Sequence, residues 1–497
     1  MSFSVDNKTM LEKMKQWAVD DPNRIMYKTS EKNYTYGELE HYSNIAASFL
    51  QQTIQSKKPV IIFGDLQFEM VAMFLGATKA GIAYIPISSD TPNDRLQLIL
   101  ETADPSLVVM VNEDASFVSS TPIVAWSKIK NFDSPIQTDF TGVQQSDTYY
   151  IIFTSGTTGV PKGVQISHDN LCSFVDWMID AFSLKPGQNY LAQAAYSFDL
   201  SVMGLYPALA SGGMLSPLHK HEVINFKDLF TRLPQLHVNN WISTPSFIDI
   251  CLMDEKFDEA HYPSISTFLF CGEELARSTA ITLRERFPQA RVFNTYGPTE
   301  ATVAVSAVEI TDEVLAAHER LPIGYVKADT RVVIDEKTNE IILSGPSISK
   351  GYLNNAEKTA EAFFTLDGVP AYHTGDAGSL KDDLLFYEGR IDFQVKLHGH
   401  RIELEEVDHH LAQCQYVKQA IVVPKLKEKK VHQLVAIIVS NESPFDKDFK
   451  LTRAIKQEAS EKMMDYMMPQ RFIYKANLPI TPNGKIDRKA LMAEVNQ

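Results

Sequence analysis

Short, apolar, β-branched runs alternate along most of this chain with longer amphipathic segments. PVIIF at 59–63 precedes FEMVAMFLGATKAG at 68–81, and STFLFCG at 266–272 precedes ELARSTAITLRERF at 274–287. This alternation is typical of α/β proteins with largely buried sheets. The chain has 497 residues. Because one ordinary hydrophobic core does not extend over such a length, two or more domains are expected.

The pattern changes towards the C-terminus. From about residue 322 short strands follow closely, and TRVVIDEKTNEIILSG predicts a hairpin that turns at 337–339. A mixed segment follows residue 390, with a helix predicted at 403–414 and strands at 418–426 and 433–439. We therefore place a domain boundary near Asp392. The expected domains are residues 1–391 (α/β) and residues 392–497 (α+β).

Composition excludes several classes of function. The sequence is 44% hydrophobic and 22% charged, which is typical of a soluble globular protein. It contains no apolar run near the roughly 18 residues of a membrane span. The N-terminus MSFSVDNKTMLEKMKQW carries charges where a signal peptide needs an apolar region, so a cytoplasmic protein is expected. A net charge of -15 argues against a nucleic-acid partner.

The cysteines give no sign of a metal site. They lie far apart and form no C-x-x-C pair, which argues against a zinc site or a disulfide framework. Reduced thiols are expected at Cys172, Cys251, Cys271 and Cys414.

A loop with the sequence TSGTTGVPKG, at 154–163, follows an apolar run at 149–153. It is not a Walker-type phosphate loop, because the second glycine position holds Pro161 and Lys162 is followed by Gly163. A strand that leads into glycines, hydroxyls and one ammonium group nevertheless predicts a backbone nest that binds anions. The alternative is a flexible surface loop.

Further motifs must be considered together with this loop. They are FDLSVMGLYPAL from 198, NTYGPTE from 294, YHTGD from 372, YEGRIDFQVKLHGHRIELEEV from 387 and PNGKIDRKAL from 482. In this order and spacing they resemble the adenylate-forming superfamily and, within it, the amino-acid-activating adenylation domains of nonribosomal peptide synthesis. The resemblance covers nearly the whole chain. It implies a large multi-sheet N-terminal domain and a small mobile C-terminal domain.

The resemblance also implies a two-step reaction. A carboxylate is joined to the α-phosphorus of ATP with release of pyrophosphate, and the acyl group is then passed to a phosphopantetheine thiol. ATP and Mg²⁺ are the implied cofactors. D-alanine and a phosphopantetheinylated D-alanyl carrier protein are the implied partners, in the D-alanylation of lipoteichoic acid, and a monomer is expected. The first step brings two anions together, which repel by roughly 4 kcal/mol at about 4 Å and an effective dielectric near 20.

By the same resemblance, the loop holds the β- and γ-phosphates and Glu300 helps to hold Mg²⁺. Tyr296 would stack on adenine, Asn294 would bond its edge, and Asp376 would accept from the ribose hydroxyls. The alternatives are a solvated carboxylate for Glu300, core packing for Tyr296 and an Asx-turn for Asp376. The expected nucleotide-binding residues are Thr154, Ser155, Gly156, Thr157, Thr158, Gly159, Lys162, Asn294, Thr295, Tyr296, Gly297, Pro298, Thr299, Asp376, Tyr387, Glu388, Gly389, Arg390 and Lys485.

Lys485 lies in PNGK near the C-terminus. The resemblance implies that its ammonium meets both the substrate carboxylate and the α-phosphate in the first step. Lys396 and Gly399 would belong to a second, rotated arrangement used for attack by the thiol, with Asp392 at the hinge. The expected catalytic residues are Lys485, Thr154, Glu300 and Lys396.

Asp199 distinguishes between substrate classes. It lies among apolar residues, where an unpaired carboxylate is costly and a substrate ammonium would compensate it. The alternative is that Asp199 caps the helix beginning at Leu200. The expected pocket is small and apolar, with Cys271 as the wall against one enantiomer or simply as a core residue. The substrate-binding residues would be Asp199, Leu200, Met203, Leu269, Cys271, Val303, Ala304 and Lys485, with Thr295 also bordering the pocket.

Two other functions use the same motifs. A small-acid coenzyme A ligase would tolerate loss of the substrate ammonium, and a non-catalytic regulator that binds adenylates would show no pyrophosphate exchange. A separate prediction concerns four lysines that offer a basic face to an acidic carrier or, alternatively, belong to a solvated loop. They are Lys425, Lys427, Lys429 and Lys430.

Overall fold

The computed structural model describes residues 8–115, 117–156, 159–427, 430–480 and 486–497. The helices are α1 (Met10–Asp20), α2 (Tyr36–Thr53), α3 (Phe68–Lys79), α4 (Asn93–Ala103), α5 (Trp126–Lys130), α6 (His168–Ala181), α7 (Leu200–Ala210), α8 (Lys220–Ile224), α9 (Phe226–Leu236), α10 (Pro245–Cys251), α11 (Arg277–Arg286), α12 (Asp312–Ala317), α13 (Ala356–Ala362), α14 (Leu404–Ala412), α15 (Asp448–Ala459) and α16 (Arg488–Asn496).

The strands follow in chain order. They are β1 (Ile25–Lys28), β2 (Asn33–Thr35), β3 (Val60–Phe63), β4 (Tyr84–Ile87), β5 (Leu107–Met110), β6 (Ile123–Ala125), β7 (Thr148–Thr154), β8 (Lys162–Ser167), β9 (Asn189–Ala192), β10 (Met214–Pro217), β11 (Asn240–Ser243), β12 (Thr267–Phe270), β13 (Arg291–Tyr296), β14 (Ser306–Glu309), β15 (Gly324–Val326), β16 (Arg331–Ile334), β17 (Glu340–Ser344), β18 (Phe363–Leu366), β19 (Val369–Lys381), β20 (Leu384–Arg390), β21 (Gln394–Leu397), β22 (His400–Glu403), β23 (Val417–Lys427), β24 (Lys430–Ser440) and β25 (Arg471–Tyr474).

Capping residues determine where two of the helices begin. Thr35 caps α2, and Glu38 bonds back to the Thr35 backbone in a capping box. Thr9 with Glu12 starts α1 in the same way. Helix α3 is apolar on all sides and is buried over nearly its whole length. It therefore belongs inside the fold, where α2 packs against it.

The N-terminal part contains a six-stranded sheet in the order β6-β5-β3-β4-β7-β8. Its strands pair in parallel, except that β7 and β8 form an antiparallel hairpin around the loop at 154–163. A second sheet has fourteen strands, and its consecutive members β9, β11, β12 and β13 are parallel. Because parallel strands end at a common edge, the residues after these strands are brought together.

The C-terminal residues form separate sheets. Strands β21 and β22 make a hairpin, and β23, β24 and β25 form a three-stranded sheet. Residues from Val395 onwards build two apolar clusters of their own. The predicted α/β architecture is confirmed, and so are the hairpin of β16 and β17 and the strands β23 and β24. The exact boundary at Asp392 stays a prediction.

Among the helices that the structure describes, none has both the length and the apolar character needed to cross a bilayer.

Candidate active site

A cavity of about 840 Å³ lies where the carboxyl ends of the parallel strands of both sheets meet. Thr154 and Ser155 line it from the end of β7, and Asp199 and Thr299 line it from the second sheet's side. The C-terminal residues also contribute, through Arg401 among others. Ligands of α/β proteins bind at such edges, so this cavity is the candidate active site.

The loop at 154–163 is shaped by its glycines. A Cβ on Gly156 would lie 2.1 Å from the carbonyl oxygen of Val160, so a side chain does not fit there. Gly159 has a φ of +81° and donates its N–H to the carbonyl of Gly156. The turn is therefore tight, as an anion-binding nest requires. Thr157 and Thr158 lie outside the described residues.

An anionic side chain from the C-terminal part contacts this loop. Gly156 donates its N–H to Oε2 of Glu406 over 3.0 Å. The other oxygen of Glu406 accepts from Nη1 of Arg95 over 2.7 Å, and both side chains are buried. Ser155 donates its hydroxyl to the carbonyl of Arg401. The loop thus binds a carboxylate through an N–H that was expected to bind phosphate.

Glu300, the expected magnesium ligand, is fully buried. Nη1 of Arg401 donates to both carboxylate oxygens, over 2.9 Å and 2.7 Å, and the Tyr352 hydroxyl donates to Oε1 over 2.8 Å. Burial alone would raise the pKa of Glu300, but Arg401 and Lys162 outweigh burial and lower the pKa to about 2. The low pKa keeps Glu300 ionised, and its complete burial distinguishes it from a solvated loop carboxylate.

The site can accommodate Mg²⁺ chemically. Mg²⁺ commonly takes one or two carboxylates and completes its shell with water and phosphate oxygens. An ionised Glu300 fits the part of a single protein ligand. Among the described residues, groups of three or more His, Cys, Asp or Glu side chains that could hold a metal without phosphate are absent.

Two of the residues expected around adenosine, Tyr296 and Asp376, bond to each other, and Asn294 bonds elsewhere; Tyr296 is also packed in a buried apolar cluster, as its alternative role requires. Tyr296 donates its hydroxyl to Oδ2 of Asp376 over 2.6 Å, and Nη1 of Arg390 donates to Oδ1 over 3.0 Å. Nζ of Lys396 lies 5.7 Å from the centre of the Tyr296 ring. The Asn294 amide donates to the Pro322 carbonyl. Asp376 is therefore oriented by two neighbours, which is unlike an Asx-turn.

The other residues expected to bind the nucleotide lie on strands β8, β13 and β20 or directly after β13. A Cβ on Gly297 would lie 2.5 Å from Cα of Ala304, so the backbone approaches closely there. The Thr295 hydroxyl donates to the Phe270 carbonyl within the sheet. Lys162 is mostly buried, 3.8 Å from Oε1 of Glu403, and burial followed by Arg401 lowers its pKa. Tyr387, Glu388 and Gly389 lie on β20, and Pro298 precedes the turn at Thr299–Ala301.

Asp199 lies at the position before α7, but the structure shows no capping bond from its side chain to the described backbone. Its Oδ2 instead accepts from the Thr299 hydroxyl over 2.6 Å. The residue is 8% exposed and lines the cavity. Burial raises its pKa to about 6, although the Thr299 hydrogen bond acts in the opposite direction. The capping alternative is therefore not supported.

The apolar residues predicted to form the amino-acid pocket share one buried cluster. Burial raises the pKa of the Cys271 thiol, which approaches the Val303 carbonyl over 3.7 Å. Leu200 of this set also lines the cavity. The clustered residues are Leu200, Met203, Leu269, Cys271, Val303 and Ala304.

The hairpin of β21 and β22 reaches into the N-terminal part. Gly399, at its tip, donates its N–H to Oε1 of Glu273 over 2.6 Å and has a φ of +83°. A Cβ on Gly399 would lie 2.2 Å from Cγ2 of Thr244. The His400 ring lies 5.7 Å from the Phe198 ring. The structure thus holds Lys396 and Gly399 near the site, while Lys485 lies outside the described residues.

Comparisons with known proteins agree with this geometry. Residues 14–353 match the model of the AMP-binding enzyme family, and residues 406–485 match the AMP-binding enzyme C-terminal domain. The chain belongs to the AMP-binding enzyme family.

Curated relatives of this AMP-binding enzyme are similar over nearly their whole length. A D-alanine–D-alanyl carrier protein ligase of Lactiplantibacillus plantarum is 53% identical, over 98% of this chain and 99% of the relative. A ligase of the same name from Streptococcus agalactiae is 49% identical over the same shares. The crystal structure of a Vibrio cholerae adenylation domain in complex with glycyl-adenosine-5'-phosphate has a TM-score of 0.83 at 20% identity, over 100% of this chain and 98% of that one. The similarity to this crystal structure shows that the two proteins share a fold.

Several residues of this AMP-binding enzyme's site were missed by sequence reasoning. Arg401 and Glu406 lie within the stretch that carries the resemblance, and their charges were the available signal. Arg95 and Glu273 gave no such signal in the sequence, because the residues that they contact lie 311 and 126 positions away.

We predict that Glu406→Ala speeds hydrogen exchange at the Gly156 amide. A hydrogen bond to a charged acceptor contributes about 1.5–3 kcal/mol, so the rate should rise roughly tenfold or more. Exchange of overlapping peptides that contain Gly156, followed by mass spectrometry, measures this. Glu405→Ala, the neighbouring position on α14, is the control and should leave the Gly156 amide unchanged. Equal exchange in Glu406→Ala and the unsubstituted enzyme would contradict the prediction.

Proposed function

We propose that this AMP-binding enzyme activates D-alanine with ATP, forming D-alanyl-AMP and pyrophosphate, and then transfers D-alanine to the phosphopantetheine thiol of a D-alanyl carrier protein. The curated relatives, at 45–53% identity for several of them, carry the name of this ligase. The product would serve the D-alanylation of lipoteichoic acid. Because ATP is a cytoplasmic metabolite, we expect the reaction in the cytoplasm.

One observation in the structure carries the choice of an amino acid. Asp199 is a buried carboxylate at the cavity wall, with a hydroxyl partner and an apolar cluster beside it. A buried carboxylate is favourable when a cation pairs with it. The α-ammonium group of an amino acid is such a cation, whereas a simple carboxylic acid offers none.

The first step needs positive charge where two anions meet. Arg390 holds Asp376 in place for the ribose hydroxyls, and the loop after β7 supplies backbone N–H groups for phosphate. Lys162 lies at the end of the same loop. Mg²⁺, held through Glu300, would neutralise phosphate charge. Lys485 would bring its ammonium to the carboxylate and the α-phosphate.

The second step uses the hairpin of β21 and β22. In this arrangement Gly399 is bonded to Glu273 and Lys396 lies over Tyr296. We assign this arrangement to the attack of the thiol. Arg401 and Glu406 contact Glu300 and the phosphate loop in the same arrangement, so the first step requires a different position of these side chains.

Pyrophosphate exchange across a panel of D- and L-amino acids, with propionate included, tests the proposal. D-alanine should support the fastest exchange and propionate almost none. Loading of the holo-carrier protein should then exceed loading of coenzyme A. Efficient use of propionate with coenzyme A would favour a small-acid ligase, and absence of all exchange would favour a regulator.

The pKa of Asp199 predicts the pH dependence of substrate use. The folded-state pKa is raised to about 6, so the carboxyl is neutral at lower pH and cannot pair with an ammonium. The kcat/KM for D-alanine in exchange should therefore fall as the pH decreases through about 6. Asp199→Asn should lose at least about a hundredfold in kcat/KM and lack this pH step. The KM for ATP over the same pH range is the control. A pH step that persists in Asp199→Asn would count against the assignment.

A methyl group at Gly399 should slow the second step and leave the first step nearly unchanged. Gly399→Ala places Cβ against Thr244 at a φ of +83°, which costs typically about 1–3 kcal/mol. Transfer to the carrier should slow roughly ten- to a hundredfold, while exchange changes little.

Gly368→Ala is the matched control for Gly399→Ala. Gly368 has the same φ of +83°, and a Cβ there meets no described atom within 4 Å. Equal losses in both half-reactions of Gly399→Ala, or equal effects of the two variants on transfer, would show that the hairpin position does not distinguish the steps.

The preference of the enzyme for D-alanine over L-alanine should depend on Cys271. If Asp199 binds the ammonium and Lys485 the carboxylate, the methyl of one enantiomer points at a wall, which we assign to Cys271. A methyl forced into an occupied place costs about 1–3 kcal/mol, or roughly ten- to a hundredfold. Cys271→Ala should narrow the D-to-L ratio of kcat/KM in alanine exchange by that factor. An unchanged ratio would place the contact elsewhere.

A further inference from the structure

The second step requires a route by which a carrier-bound thiol reaches the site. The cavity that contains Thr154 and Asp199 extends to Val223 and Ile224, at the end of α8. The inference below rests on the proposed function, because it identifies the surface that the carrier protein would contact.

Two lysines of the basic face first expected for the carrier make contacts within the chain. Lys425 donates to the Val495 carbonyl on α16. Lys430 lies 3.6 Å from Oδ2 of Asp249 and 3.8 Å from Oε2 of Glu273. Lys429 lies outside the described residues. Two of the four lysines are therefore engaged, which weakens this surface as a docking site.

A second surface has a feature that distinguishes it. Among the large apolar side chains that are exposed in the described ranges, Ile224 alone also lines the cavity. Ile224 is 72% exposed, and Phe226, two residues later, is 50% exposed. In the part of the chain that the structure describes, a large exposed apolar side chain thus continues into the active-site cavity at Ile224, two residues before Phe226.

Phe226 is the first residue of α9. Leu229, Leu233 and Leu236 form the buried face of this helix. Phe226 precedes Leu229 and Leu233 by three and seven residues, so it lies on the same side of the helix, yet it is 50% exposed and its ring is 6.4 Å from that of Phe230. Phe226 therefore extends the apolar side of α9 to the surface, where it is available for a partner.

We propose that Ile224 and Phe226 are the docking contact for the D-alanyl carrier protein, beside the point where its phosphopantetheine arm enters the cavity. The arm is an extended, uncharged chain beyond its phosphate, so it suits a cavity, whereas the protein that bears it needs an apolar anchor at the cavity mouth. The charge of this surface is mixed, because exposed Asp228 follows exposed Lys227, and exposed Asp465 lines the cavity as Gln470, the neighbour of exposed Arg471, does. The contact with the carrier therefore depends on the apolar pair.

The principal test is Phe226→Asp. Phe226 is the first residue of α9, where an acidic side chain is compatible with the helix dipole, so the variant should fold. Transfer of D-alanine to the holo-carrier should lose at least tenfold in kcat/KM, mainly through KM, as expected for a central apolar anchor. Pyrophosphate exchange and transfer to free pantetheine should be unchanged, because neither needs the carrier's protein surface.

Two further variants sharpen the result. Ile224→Asp should lower the ratio of carrier transfer to free-pantetheine transfer at least tenfold. Phe449→Asp is the control, because Phe449 is 65% exposed on α15 and does not line the cavity. It should leave all three reactions unchanged.

The outcomes separate this inference from the proposed function. An unchanged carrier KM in Phe226→Asp, or an equal loss in Phe449→Asp, overturns the docking surface while carrier loading by the unsubstituted enzyme still supports the function. If the unsubstituted enzyme performs D-alanine exchange but loads no holo-carrier, the proposed function fails and the docking surface fails with it.

Discussion

A buried ion pair between Glu300 and Arg401 joins the two parts of this molecule. Glu300 is fully buried, next to the cavity residue Thr299, and Arg401 reaches it from the C-terminal part with one guanidinium nitrogen on both carboxylate oxygens. Removing one partner of a buried ion pair typically costs about 3–5 kcal/mol, because the other charge is left uncompensated. In this arrangement Arg401, on the hairpin of β21 and β22, compensates the charge of Glu300. In the proposed function, Glu300 would therefore couple the occupancy of the site to the position of the C-terminal residues.

The C-terminal part also contacts the phosphate loop, but there it brings a negative charge instead of a positive one. Glu406 accepts from the Gly156 N–H, where a phosphate oxygen would accept, whereas Arg401 brings positive charge to Glu300, where Mg²⁺ would bring it. The C-terminal part thus supplies a cation and an anion at the two places where a magnesium nucleotide is expected to supply them. A phosphate on this N–H and Glu406 on this N–H exclude each other. In the present arrangement all four carboxylate oxygens of Glu300 and Glu406 have partners. In the proposed first step, phosphate and Mg²⁺ would take the places of Glu406 and Arg401.

Sequence reasoning was successful where a local pattern decides the structure. The turn between β16 and β17, and the loop after β7, follow from residue types over a few positions. It was insufficient where a residue type suits two roles: an aspartate before a helix is both a good cap and a good ammonium anchor, and the Thr299 hydroxyl that separates these roles for Asp199 is 100 residues away. It missed Arg401 because the sequence does not show which carboxylate a distant arginine contacts, and Glu300 is 101 residues away.

The site should select its substrate by two mechanisms of different strength. The first is the pairing of the buried Asp199 carboxylate with the substrate ammonium. A site that hydrogen-bonds one group of its substrate rejects analogues without that group by large factors, because the polar group of the site is then left unpaired. Selection by the apolar cluster around Met203 and Leu269 is weaker, since one methylene changes binding by only about 1–3 kcal/mol. In the proposed function, the class of substrate would therefore be set by Asp199, whereas selection for the size and handedness of the side chain would depend on packing. Errors of this enzyme should then be other small amino acids, and simple carboxylic acids should be rare among them.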